Sequence, residues 1–138
     1  MRVVPDANVI IAATLSSAGT TGRVLQAWLD GAYELVASPL LLDELARALA
    51  YPKIRARVTE AEAEELLDLL RQGADVEKDP VGPPPRRSVD PDDDYLIALA
   101  EAAQTVIVSG DHHLLDLGHA LPIYSPAAFL ALLAVQDG

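Results

Sequence analysis

A chain of 138 residues has the length of one domain, since domains most often run to about 100–150 residues, and residues 1–138 are expected to fold as one. Its apolar fraction of 51% against 22% charged residues excludes a disordered chain, and no period of ~20–50 residues repeats, which excludes a solenoid. The absence of cysteine excludes disulfides and thiolate metal sites, and a net charge of −11 excludes a protein that holds nucleic acid by bulk positive charge alone.

The elements follow in chain order. Arg2 to Pro5 reads as a short strand that ends at Asp6, with no signal-peptide pattern around it. Helical apolar spacing then runs from about Val9 to Leu15 and from Thr21 to Leu29. Trp28 falls on the apolar side and is expected in the core. Tyr33 to Ala37 is a second strand, and Ser38-Pro39 starts a helix with Ser as N-cap and Pro at the first helical position. Pro52 stops that helix. Thr59-Glu60-Ala61-Glu62 fits a capping box and opens a helix that ends near Gly73. The proline-rich stretch from Asp75 to Ser88 is expected as loop. Asp90-Pro91 caps a helix continuing to about Ala103, Thr105 to Ser109 is a buried strand, and Ile123-Tyr124 is a last strand. Ser125-Pro126 opens a terminal helix whose apolar run, Ala127 to Val135, is far short of the ~20 residues a membrane helix needs. A cytoplasmic protein is therefore expected.

Strands alternating with helices imply an α/β fold with a mostly parallel central sheet flanked by helices. In such sheets ligands bind at the carboxyl ends of the strands. Asp6 and Asp111 each stand just after a strand, and Glu44 and Asp94 lie in the early turns of helices, so all four acids belong to that one end. Each has a plainer role beside it. Asp6 stands where a helix cap is common, although Asn8 can take that capping role. Asp43 is four residues before Arg47 and reads as a surface ion pair. Its neighbour Glu44 shares a face with Leu40, Leu41 and Ala48, where an acid is costly unless something cationic meets it. In the run Asp90, Asp92, Asp93 and Asp94, the first caps and the next complement the helix dipole. One acid more than capping requires remains, and spacing does not separate Asp93 from Asp94. Asp111 follows Gly110 in a tight turn, a structural role as plausible as a chemical one. Together, a few carboxylates at one sheet end suit a hard cation such as Mg²⁺, which activates water and stabilises the leaving oxygen in phosphoryl displacement. His112, His113 and His119 read as polar loop, since Mg²⁺ favours oxygen ligands.

These residues resemble the PIN-domain family. Its pattern is an Asp in a D-x-N context after the first strand, a Glu in a later helix, D-x-x-x-A-x-A, and a strand ending in T/S-x-D. This sequence has Asp6-Ala7-Asn8, Glu44 within Leu41-Leu42-Asp43-Glu44-Leu45, Asp94-Tyr95-Leu96-Ile97-Ala98-Leu99-Ala100, and Ser109-Gly110-Asp111. The match runs over essentially the whole chain and is similar to the VapC-like branch of toxin components of toxin–antitoxin pairs. The resemblance implies a PIN-like three-layer sandwich and a Mg²⁺- or Mn²⁺-dependent endoribonuclease acting on single-stranded RNA. Asp6, Glu44, Asp94 and Asp111 would be its catalytic and metal-binding residues, with Asn8, Ser109 and Asp93 supporting. It selects Asp94 over Asp93. It further implies a homodimer and an antitoxin protein as partner. RNA phosphates would be met by the bunched cations Arg55, Arg57, Arg86 and Arg87. Tyr95 is assigned to packing rather than to RNA stacking. Two alternatives are a haloacid-dehalogenase-like phosphatase, which lacks its second Asp because Asn8 stands there, and a catalytically silent PIN-like module that binds RNA or protein.

Overall fold

Five short strands run parallel in one sheet ordered β3-β2-β1-β4-β5. The computed structural model describes residues 1–81, 94–118 and 121–137. The strands are β1 (Arg2–Pro5), β2 (Glu34–Ala37), β3 (Asp75–Val76), β4 (Val106–Val108) and β5 (Ile123–Tyr124). The helices are α1 (Ala7–Leu15), α2 (Thr20–Leu29), α3 (Pro39–Leu49), α4 (Pro52–Arg55), α5 (Glu60–Gly73), α6 (Asp94–Ala103), α7 (His112–Leu115) and α8 (Pro126–Asp137). The expected α/β sandwich is thus present, with every described strand pair parallel rather than most of them. No helix among the described residues is long and apolar enough to cross a membrane.

The central strand shows why the sheet is covered on both faces. Val3, Val4 and Pro5 are all buried, whereas side chains alternate between faces along a strand. Pro5 lacks an N–H, a defect in most central strands. Here Asp6 N–H donates to Val108 O at 2.8 Å, so by alternation the Pro5 nitrogen faces the β2 side. Paired register with β2 ends at Val3↔Leu35, while that with β4 runs to Pro5↔Val108. The missing donor therefore falls where β2 no longer asks for one.

Helix starts follow the local chemistry. Ser38 accepts from Leu41 N–H, and Thr59 and Glu62 form the reciprocal capping box. Pro52 does more than end α3: it stands at the first position of the one-turn α4. The stretch after α5, expected as loop, contributes β3. Its two residues carry no apolar run, and they are strand because the backbone edge of Val36 and Ala37 pairs with Asp75 and Val76. The expected loop at His112 and His113 is instead α7, capped by Asp111. Residues 77–81 carry no helix or strand, and the rest of the proline-rich stretch from 82 on, the Asp90 cap, Asp92 and His119 lie outside the described residues.

The core includes Leu35, Val36, Leu41, Leu45, Leu96, Ile97, Ile107 and Phe129. Trp28 joins it, as expected. Tyr33 meets the Phe129 ring edge-on at 5.1 Å and donates to Val24 O at 2.8 Å, tying α8 and α2 to the start of β2. Gly22 sets how closely α2 meets the turn before it. A Cβ there would lie 2.1 Å from the Ser17 carbonyl oxygen. Gly→Ala inside a helix normally stabilises by about 1 kcal/mol, but overpacking costs about 1–3 kcal/mol. Gly22→Ala is expected to destabilise by roughly 1–3 kcal/mol in urea titrations; a variant more stable than wild type would show that this contact is not what requires glycine.

Candidate active site

The carboxyl end of the sheet gathers the acids through backbone geometry. β1 stops at Pro5, and Asp6 follows as N-cap of α1, its Oδ1 accepting from Asn8 N–H at 3.2 Å. The expectation that Asn8 would take over the capping role is therefore wrong. Asn8 already stands inside the helix, exposed at its second position, and only the preceding side chain reaches back to the first free amides. Asp6 is 4% exposed. Its Oδ2 accepts from Ser109 Oγ at 2.9 Å, and the same Oγ accepts from Asp111 N–H at 3.0 Å. Ser109, wholly buried after β4, thus joins the ends of β1 and β4. Asp111 in turn caps α7 by accepting from His113 N–H at 2.9 Å. A Cβ at Gly110 would meet nothing within 4 Å and its φ is not positive, so the tight turn expected there does not need glycine.

Burial pushes the Asp6 carboxyl above the ordinary range, and the negative charge of Asp111 pushes the same way. Hydrogen bonds from Asn8, Ser109 and Ala7 oppose the rise without cancelling it.

Glu44 lies half-buried on α3, and the Tyr95 hydroxyl donates to its Oε2. Tyr95 is the residue that sequence reasoning undervalued: it was assigned to packing, yet it reaches across from α6 to a candidate site acid. The signal was its position beside Asp94, which opens α6 half-buried. The four acids are therefore at one end of the sheet as expected, but not in one knot. Asp6 and Asp111 form one group through Ser109, and Glu44 joins the start of α6 through Tyr95. Among the described residues no three His, Asp or Glu side chains stand close enough to hold a metal ion together.

Two clefts flank Asn8. One, of about 410 Å³, is lined by Asn8, Thr21 and Asp111 among others. The other, of about 380 Å³, includes Asn8, Glu44 and Tyr95. Two further cavities, of about 470 and 710 Å³, open at the opposite end of the sheet, where the strands begin. Their size does not make them the candidate site, because they hold none of the four acids.

Two of the four cations expected to meet RNA phosphates fall among the described residues. Arg57 donates to Leu15 O at 3.1 Å, and half-buried Arg55 lies 3.8 Å from Glu60, so both are drawn into contacts within the fold. Arg86, Arg87 and Asp93 lie outside the described residues. The expected Asp43–Arg47 ion pair is not among the salt bridges of the described residues. Asp79, read as loop, accepts from Leu40 N–H at 2.9 Å and supplements Ser38 at the start of α3.

A parallel α/β sandwich with carboxylates at its carboxyl end defines the class. The PIN domain family model matches residues 2–113, and the chain belongs to that family. Among solved structures, it is similar to a chain in the crystal structure of VapBC2 from Rickettsia felis bound to a DNA fragment from their promoter. The likeness has 12% identity and a TM-score of 0.62, covering 91% of this chain and 98% of that one. At that identity the likeness is one of fold. Comparison with curated proteins gives no sequence match.

The raised Asp6 carboxyl has a definite sign for stability. The folded state keeps the Asp6 proton to higher pH than the unfolded chain, whose Asp titrates near ~3.9. Stability is therefore lost as pH rises from about 4 through the raised folded value. Asn caps as well as Asp and does not titrate. In EDTA, the stability of Asp6→Asn relative to wild type should climb across that window; a flat or falling difference in denaturant titrations would mean the carboxyl is not raised.

Proposed function

We propose that this chain is a Mg²⁺- or Mn²⁺-dependent endoribonuclease that hydrolyses phosphodiester bonds of single-stranded RNA, the toxin of a toxin–antitoxin pair. The observation that carries it is the buried Asp6 carboxylate held beside Asp111 through Ser109, at the carboxyl end of the sheet of a PIN domain. A buried Asp6 whose ionisation is opposed by the charge of Asp111 invites a cation, and the donors are all oxygen, as hard divalent ions prefer. Asp6 and Asp111 would hold the metal first, with Glu44 and Asp94 completing the set. When bound, the metal supplies positive charge against the phosphate and a more acidic water.

The remaining tasks fall to side chains. Ser109 and the Asn8 amide fix both Asp6 oxygens, leaving that carboxylate little rotational freedom. Tyr95 holds Glu44 toward α6. Asn8 lines both clefts, which supports a role for it as a donor to a phosphate oxygen of the RNA. In the same reading the protein acts in the cytoplasm as a homodimer inhibited by an antitoxin, a partnership supported by the likeness to a chain of VapBC2.

Family membership leaves no support for the phosphatase alternative. The catalytically silent module keeps one specific observation in its favour, the absence of a three-acid group among the described residues. Cleavage of a labelled single-stranded RNA with Mg²⁺ or Mn²⁺ separates the readings. Activity should vanish in EDTA and fall at least a hundredfold in Asp6→Asn, the size of effect that loss of a metal-holding group implies. Wild type should gain ~2.7 kcal/mol of stability at one hundred times the metal dissociation constant. Cleavage that persists in EDTA defeats the proposal; metal stabilisation without cleavage establishes the silent module.

A further inference from the structure

One side of α3 and its end carries Leu40, Glu44, Arg47, Ala48 and Tyr51, residues that helical spacing brings into a single stripe. This stripe faces Tyr95 and Asn8 across the 380 Å³ cleft, within the ~300–1,000 Å³ of small-molecule sites. Glu44 at one end belongs to the candidate active site. Tyr51 lies seven positions along, about 10 Å at helical rise.

The fold does not account for what this stripe exposes. Tyr51 is 61% exposed and Leu40 46%. The Tyr51 backbone is pinned: its N–H donates to Ala48 O at 3.2 Å, and its carbonyl accepts from Ile54 and Arg55 N–H at 3.0 and 2.8 Å. A fixed backbone presenting a free aromatic face is a stacking platform that costs little conformational entropy to use. Arg47, also exposed, forms no salt bridge among the described residues.

Resting on the ribonuclease reading, we propose that this groove is a base subsite. It takes an unpaired nucleobase of the RNA next to the cleaved phosphate, stacked on the Tyr51 ring, with the Arg47 guanidinium on the adjoining phosphate. An aromatic face beside a cation fits a single-stranded nucleotide, because every base has a π-face and every linkage a negative charge. The subsite therefore selects unpaired RNA with little preference among bases. A duplex cannot enter, since its bases are already stacked.

Fluorescence anisotropy of the full chain with a labelled single-stranded RNA in Ca²⁺ buffer tests the subsite. Wild type, Tyr51→Ala and Tyr51→Phe are compared on the intact RNA and on versions carrying one abasic residue at each position in turn. Tyr51→Ala should weaken binding about tenfold, as expected from removing one stacked base, with an unchanged thermal melt, and Tyr51→Phe should bind as wild type. At one position the abasic residue should cost wild type the same factor and cost Tyr51→Ala nothing more. Wild-type affinity in Tyr51→Ala, or an equal loss on every abasic RNA, overturns the subsite. So does an effect of Tyr51→Ala confined to a polypeptide partner, which would make the groove a protein-docking site. Cleavage of the same RNA with Mn²⁺ is scored separately. Tyr51-dependent binding without cleavage removes the enzyme reading and leaves the subsite; cleavage with Tyr51-independent binding does the reverse.

Discussion

The candidate site turns on the hydroxyl of Ser109. Its Oγ–H donates a hydrogen bond to the Asp6 carboxylate and Oγ accepts one from the Asp111 amide, a side-chain bridge beyond the last backbone bond between β1 and β4. A buried carboxylate without partners is expensive; Asp6 tolerates burial because Ser109 and the Asn8 amide supply donors. The same bridge brings Asp111 near enough to oppose Asp6 ionisation. Stabilising hydrogen bonds and destabilising repulsion are thus built from the same few atoms, the condition under which a cation adds most.

The net charge of −11 then has a different meaning from a general aversion to nucleic acid. In the proposed reading, divalent ions held by Asp6 and Asp111 would reverse the sign of the field at the carboxyl end of the sheet. Among the described residues, Arg55 and Arg57 make contacts within the fold. In that reading substrate grip would rest on local groups, among them the exposed ring of Tyr51 and the exposed Arg47.

Most of the fold was legible because its signals are local. Ser38-Pro39 and the Thr59 capping box place their helices within a residue, and the buried runs around Val3 and Ile107 can only be inner strands. What was not legible depends on partners distant in sequence. Asp75-Val76 is strand only because Val36 and Ala37 are there to pair with it. Tyr95 meets Glu44 across 51 positions of sequence, a separation no periodicity reports. The grouping of the acids lies between these cases. Topology puts all of them at one end, but which acid meets which depends on side-chain reach, and the structure joins Asp6 to Asp111 rather than all four at once.

The two ends of the sheet treat their carboxylates differently. Where the strands begin, Arg2 donates to Ala103 O at 2.6 Å and pairs with Asp75 and Glu77 at 2.5 and 2.9 Å. One cation thereby ties β1, β3 and the end of α6. These carboxylates share a guanidinium that never loses its charge, so each already has a cationic partner. At the other end Asp6 is met by neutral donors only, a hydroxyl and an amide, and faces another acid. Neutral donors orient a carboxylate without quenching its charge, whereas a salt bridge does both. Two larger cavities open where the strands begin, but Asp6 and Asp111, in no salt bridge among the described residues, stand at the far end, and electrostatics rather than volume points to where a cation would bind.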